Sequence, residues 1–427
     1  MPNFAAPQRV VVTGIGMLTP LGLDREATFA RALSGEGAVA AAPESITRWL
    51  PEALAACVDP AFAEMLDRSE TGLDRATQLA LIASREALVD ADASQWRYPA
   101  QRLGVFAGIG MGGSTSLEAL YVRFHQQLQR SIESDGAVSP TVVHPLSVPR
   151  LMSNAAAAGI SMANQLRGPS HTYSVACSSS AMAIGEAFRN IRHGYTDAIV
   201  VVGTEAMINP GCFIAWNALR VMARPDSANV AASCRPFDRD RSGFVLGEGA
   251  AAFVLENAES AQQRGAKIYA ELCGYGSSSD ASHITLPSRD GQVYAMQMAL
   301  HEAGMVPAAV EYLNAHGTAT ETGDVVETEA IKVVFGDHAA ALPISSTKSM
   351  HGHLIGAGGA VELALTILSM QSGSIAPTAY LDNPDPRCTL DYVPRVARHG
   401  QRIGAAMSNS FAFGGTNVSL IVRNFAA

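Results

Sequence analysis

Apolar residues cluster in short runs at 10–13, 103–107, 198–202, 251–255 and 268–272, rich in valine, isoleucine, leucine and alanine. Each is too short for a helix and is filled at consecutive rather than alternate positions, as in strands buried on both faces. Between them, 76–89 and 181–191 carry apolar residues at helical spacing. Strands alternating with helices predict an α/β core in which helices cover the sheet. No Pro/Ser-rich linker interrupts the chain, so its domains pack together.

The pattern repeats weakly about a joint near residues 256–267, which predicts two similar halves, 1–256 and 257–427. Each half opens with a strand that runs into glycines, Val10 to Gly16 and Ile268 to Gly276. Each continues with a long helix and a strand, 76–107 and 294–314. Each then has a strand that stops at a polar turn before a small-residue helix, at 173–176 and at 343–347. A pseudo-twofold axis between such halves brings Cys177 and His353 to corresponding helix starts facing one cleft.

Composition narrows the function. Of 427 residues, 48% are hydrophobic and only 16% charged, against about 25% charged in an average domain; this indicates a large buried interior and an oligomer. Thirty Lys+Arg against 39 Asp+Glu give a net charge of −9, with no basic run, which argues against nucleic acid or an anionic membrane as partner. The six cysteines are scattered without a CxxC pair, so a zinc ribbon or disulfide scaffold is not expected, and a reducing compartment is. Residues Met1 to Gln8 lack the basic-then-apolar pattern of a secretory leader, and no stretch reaches about 18 uninterrupted apolar residues. The expectation is a soluble cytoplasmic protein.

Several positions carry candidate chemistry. Cys177 stands where a strand gives way to three serines and then a helical pattern, so its thiol meets the unpaired N–H groups of a helix start, which favour thiolate. His316 follows an apolar strand and precedes glycine. His351 and His353 are spaced i, i+2, but no acidic or cysteine ligand stands close in sequence, so no metal site is expected. Lys348 lies in small, glycine-rich sequence; if buried it requires a carboxylate, and Glu327 is the candidate. Phe413 introduces a Gly-Gly turn whose N–H groups can meet a developing oxyanion. Singly, each fits a structural cysteine, a core histidine, a solvated lysine or an ordinary turn. Together, all at strand ends, they are less ordinary.

The ordered motifs Val11-Val12-Thr13-Gly14, Arg167-Gly168-Pro169-Ser170, Ala176-Cys177-Ser178, Arg235-Pro236-Phe237-Asp238, Gly243 to Gly249, Asn314-Ala315-His316-Gly317-Thr318, Ser346-Thr347-Lys348-Ser349 and Phe413 to Asn417 resemble the β-ketoacyl-[acyl carrier protein] synthases of the thiolase superfamily, the type II elongating kind. The resemblance implies a thiolase-like five-layered αβαβα fold with two pseudo-duplicated halves. It implies that Cys177 is the nucleophile, with the Cys177 and Phe413 amides as oxyanion hole, and that His316 and His353 hold the malonyl thioester and stabilise its enolate. By the same resemblance Lys348, paired with Glu327, tunes the histidines, and Phe413 is a movable gate. No cofactor is implied. The implied partners are an acyl carrier protein bearing acyl and malonyl groups and a second ketosynthase-like chain, in a homodimer or heterodimer.

Departures from the family pattern bear on pathway. Three serines follow Cys177, as in polyketide-type enzymes, and Ala412 replaces the usual glycine, which predicts a stiffer gate. Met111 stands at the expected acyl pocket, and Leu146 and Ser147 near the expected dimer contact. For carrier docking the candidates are Arg68, Arg75, Arg220 and Arg224, each equally readable as a surface arginine. Phe413 stands where a degradative thiolase has its second cysteine, and His353 where an initiating ketosynthase has asparagine. A non-catalytic chain-length partner subunit generally lacks the active cysteine, whereas Cys177 is present. A cysteine hydrolase is the remaining alternative.

Overall fold

The computed structural model describes residues 7–133 and 143–426; Met1 to Ala6, part of the stretch read for a leader, lie outside it. The strands are β1 (Val10–Leu18), β2 (Val39–Ala41), β3 (Leu54–Ala56), β4 (Leu103–Gly108), β5 (Ser170–Tyr173), β6 (Ala198–Glu205), β7 (Leu246–Gly247), β8 (Gly249–Asn257), β9 (Ala270–Ser279), β10 (Tyr312–Asn314), β11 (Ile344–Ser345), β12 (Ala405–Phe411) and β13 (Thr416–Arg423). Strands β2, β3 and β7 form a small separate sheet. The other ten form one sheet, ordered β11-β10-β12-β13-β9-β1-β8-β6-β4-β5. Four of the five apolar runs read from the sequence lie in β1, β4, β6 and β8, and the fifth, 268–272, enters β9 at Ala270.

The strand order has two matching sides. They meet where Val10–Val12 of β1 pairs antiparallel with Ala270–Leu272 of β9, a contact of three residues a side. Outward from that seam one side runs β1-β8-β6-β4-β5 and the other β9-β13-β12-β10-β11. On both sides the first two pairings are antiparallel and the next two parallel.

Helices complete five layers. The helix Arg75–Asp90 covers β1, β8 and β6 from outside, and Arg289–Ala303 covers β9 and β13. Between the two sheet halves lie Ser179–Arg192 and Gly358–Ser372, packed on each other and each touching strands of both halves. The glycines that mark the repeat have a packing cause. A Cβ at Gly14 or Gly16 of β1 would run into the Ala87 or Ala83 carbonyl of the outer helix. At Gly274 and Gly276 of β9 it would run into the carbonyls of Ala299 and Ala295. Each half therefore needs two strand glycines, one turn of helix apart in what they accommodate, to seat its outer helix.

Most of the two central helices is buried, including Ile184, Ala187, Phe188 and Ile191 on one and Val361, Leu363, Ala364 and Ile367 on the other. Removing each large apolar side chain from water is worth about 1.5–3 kcal/mol, so this middle layer anchors the helix starts where the chemistry sits. Among the described residues no helix is long and apolar enough to cross a membrane.

Candidate functional site

The sharp turn at Cys177 is built into the backbone. Strand β5 ends at Tyr173, three residues earlier than the apolar pattern predicts, and Ala176 takes a left-handed φ of 49°. Cys177 follows in the single turn Ala176–Ser178, which runs directly into the helix Ser179–Arg192. The three serines hold this elbow. Ser178 Oγ lies 2.8 Å from the Ser410 carbonyl and 2.9 Å from that of Thr416, tying it to the ends of β12 and β13. Ser179 Oγ donates to the Ala176 carbonyl (2.6 Å) and accepts from Val175 N–H (3.0 Å). Ser180 Oγ accepts from Ala360 N–H at 2.9 Å, joining the two central helices.

His353 arrives from the other half by the equivalent route, just before the turn Ile355–Ala357 and the helix Gly358–Ser372. Its Nε2 lies 2.9 Å from Cys177 Sγ. His316, on the loop after β10, faces His353 edge to face with ring centroids 5.5 Å apart. Ligand atoms of Cys177, His316 and His353 all lie within 4.8 Å of one another, and all three residues are buried. The predicted convergence of one thiol and two imidazoles is present. His351 turns away, towards Thr347 Oγ1 and the Gly352 carbonyl.

The predicted partner of Lys348 requires correction. Lys348 is fully buried, but its Nζ pairs with Glu362 of the central helix and donates to the His316 carbonyl at 2.6 Å. Glu327 instead accepts the backbone N–H groups of His316 and Gly317, both at 2.8 Å. The helix Glu321–Phe335 aims that carboxylate at the loop backbone, while Glu362 lies across the cluster beneath the ammonium. Sequence reasoning missed Glu362, whose signal was a lone acid in the apolar stretch Ala360 to Leu368.

Local donors fix where the histidine protons sit. Ile355 N–H donates to His353 Nδ1 at 3.2 Å, so the neutral ring carries its proton on Nε2, towards the sulfur. The Lys348 ammonium stands 3.5 Å from His316 Nδ1 and disfavours a proton there. Burial, then the lysine charge, holds both histidines well below the usual imidazole range, so both are neutral at pH 7. Burial also pushes the Cys177 thiol up to about 12, opposed by Lys348 and the Phe413 amide. Burial thus opposes the helix start, which favours thiolate. A metal fits this set poorly: ligation at His353 Nε2 would need the proton moved to Nδ1, where Ile355 N–H already points.

Phe413 frames the opposite side. Its amide acts on the sulfur, and neither that N–H nor that of Cys177 has a backbone acceptor among the described residues. The ring stacks on Trp216 at 6.2 Å. In the turn that follows, Gly414 and Gly415 have φ of 86° and 76°. Ala412 is not among the positive-φ residues, so alanine fits there without backbone strain.

A cavity of about 540 Å³ leads from Cys177, His316 and His353 past Trp216 to Arg220 and Arg224. Both arginines are exposed, and neither has an ion pair among the described residues. Arg75 is partly exposed and bound to the buried Glu248 (Nε to Oε2, 2.6 Å), and it does not line this cavity. Arg68 is exposed away from this cavity's lining. Met111 does not line the cavity; in the single chain it is 54% exposed, and Leu146 likewise.

Sequence models of the β-ketoacyl synthase family match nearly all of this chain, the N-terminal domain at residues 7–261 and the C-terminal domain at 269–382. The chain belongs to the β-ketoacyl synthase family. It is 40% identical over 428 residues to the 3-oxoacyl-[acyl-carrier-protein] synthase 2 of Staphylococcus aureus (strain COL), covering 98% of this chain and 99% of that one. A β-ketoacyl synthase from Burkholderia phymatum superposes with a TM-score of 0.86 at 36% identity, over 98% of this chain and all of that one. A type II PKS ketosynthase solved with its acyl-carrier protein and bound to the hexaketide superposes with a TM-score of 0.88 at 28% identity, over 98% and 100% of the two chains. The thiolase-like fold implied by the motifs is thereby borne out.

Proposed function

We propose that this β-ketoacyl synthase elongates acyl chains by decarboxylative Claisen condensation, with Cys177, His316 and His353 as its catalytic residues. The observation that carries this reading is the convergence of two buried imidazoles on one sulfur at a helix start. In the first half-reaction Cys177 Sγ attacks the thioester carbonyl of an acyl carrier protein. The C–S bond to the carrier breaks, and the carrier thiol leaves with the cysteine's proton. The Cys177 and Phe413 N–H groups stabilise the tetrahedral oxyanion.

In the second, malonyl-carrier enters and its thioester oxygen accepts from both histidines. The bond to its carboxylate breaks, CO2 leaves and the electron pair forms an enolate. Donors aimed at that oxygen strengthen as charge develops, so they favour the transition state over bound substrate. The enolate carbon attacks the acyl-cysteine carbonyl, a C–C bond forms, the C–S bond to Cys177 breaks, and the departing thiolate takes a proton from solvent. Lys348 holds the His316 carbonyl and keeps Nδ1 unprotonated; Glu327 fixes the His316 and Gly317 backbone. Phe413, stacked on Trp216, gates malonyl entry.

The carrier docks at the cavity mouth through Arg220 and Arg224, and the chain works in the cytoplasm as a dimer with itself or a ketosynthase-like partner. The chain-length-partner reading is disfavoured by the assembled thiol and histidines. The test is intact mass spectrometry with acyl-carrier followed by malonyl-carrier. An acyl adduct on Cys177, then a β-ketoacyl product two carbons longer, supports the proposal; release of free acid without a new C–C bond makes the chain a hydrolase.

A further inference from the structure

Glu205, the last residue of β6, is fully buried, yet no cation pairs with it among the described residues. A carboxylate removed from water without a counter-charge is disfavoured, and its oxygens must find donors. Here they are backbone groups from two separate segments. Oε2 accepts from Gly110 N–H at 2.7 Å and from Gly356 N–H at 3.1 Å, while Oε1 faces Met111 N–H at 3.4 Å. Both glycines are required by the approach: a Cβ at Gly110 would strike Glu205, and one at Gly356 would strike the Gly110 amide. Gly356 sits in the turn Ile355–Ala357, where Ile355 has a left-handed φ of 45°. The Ile355 N–H in that turn is the donor to His353 Nδ1.

We propose that Glu205 is a positioning residue for the reaction: by clamping the Gly356 turn to the Gly110–Met111 loop it keeps the Ile355 N–H on His353 Nδ1, and thereby the proton on Nε2. This inference rests on the ketosynthase reading above. Protonated, Glu205 offers one acceptor fewer, and the clamp loosens. Burial pushes this carboxyl up to about 7, against the pull of the three amides. The groups facing it from neighbouring segments are Asp74, Cys177 and Cys212. Glu327 and Glu362 also titrate near 7, but they contact the His316 backbone and Lys348 rather than this turn. Glu205 should therefore contribute a fall in malonyl decarboxylation as pH drops from 8 to 6.

The test compares wild type, Glu205→Gln and Glu205→Asp from pH 6 to 8, following Cys177 acylation and CO2 release from malonyl-carrier separately. The expected result for Glu205→Gln is CO2 release reduced about tenfold or more at pH 8, with the limb near 7 flattened and acylation changed by less than about threefold. Glu205→Asp should keep the limb at an intermediate rate. An unchanged limb in Glu205→Gln assigns it to Glu327 or Glu362 and overturns the inference, as does an equal loss of both half-reactions. If the variants do not fold, ¹⁵N-histidine NMR of wild type decides: the His353 Nδ1 and Nε2 shifts must change between pH 8 and 6, and constant shifts overturn the proposal. Wild type that releases no CO2 would instead refute the ketosynthase reading.

Discussion

Ile355 donates its backbone N–H to Nδ1 of His353 at 3.2 Å, while Nε2 of the same ring lies 2.9 Å from the Cys177 sulfur. One backbone amide thus determines that the imidazole meets the reaction as a hydrogen-bond donor rather than as a base. The tautomer follows from a strained turn, with Ile355 at φ 45°, and not from any acidic partner of the ring.

The Lys348–Glu362 pair is buried on both sides. Lys348→Met leaves an uncompensated carboxylate and is expected to destabilise the protein by about 3–5 kcal/mol. The double variant with Glu362→Gln should recover most of that loss. Denaturant midpoints of wild type, Lys348→Met and the double variant check both statements.

Glu327→Ala orphans the His316 and Gly317 amides, each worth about 1–3 kcal/mol when left buried and unpaired. Lower thermal stability and slower condensation should appear together. A variant as active and as stable as wild type would remove Glu327 from the supporting role.

Much of this is legible in the sequence alone. Both faces of β1, β6 and β8 are buried, so their apolar runs announced themselves, and the paired glycines of β1 and β9 disclosed the repeat because each pair seats a helix. Cys177, His316 and His353 stood at element ends, where the sequence changes character. The partner of Lys348 was not legible, because distance along the chain says nothing about which of two buried acids faces an ammonium. Strands β2, β3 and β7 have only two or three residues each, too few for periodicity. The helix start at Cys177 is visible in sequence, whereas the burial that opposes its pull on the thiol is not.

His351 is fully buried and its folded-state pKa is lowered to about 3, chiefly by burial. The unfolded chain takes up a proton as pH falls below 6.5 and the native state does not, so stability is lost from pH 6.5 downward. The contribution is about 1.4 kcal/mol per pH unit. Between pH 6.5 and 5, wild type should lose about 2 kcal/mol more than His351→Asn, read from denaturant titrations at the two pH values.

Arg220 and Arg224 lie at the mouth of the cavity. Reversing both to glutamate should raise KM for acyl-carrier about tenfold or more at low salt, with a weaker salt dependence. Turnover of a small acyl thioester without a carrier protein should be unaffected. Equal effects on both substrates would place the arginines in the chemistry instead.

The most direct measurement is release of labelled CO2 from malonyl-carrier by wild type, Cys177→Ala and His353→Ala. If the histidines stabilise the enolate and the sulfur only carries the chain, Cys177→Ala still releases CO2 but makes no elongated product. His353→Ala then loses CO2 release by about 100-fold or more while Cys177 remains acylated. Wild-type rates of CO2 release from His353→Ala would contradict the account.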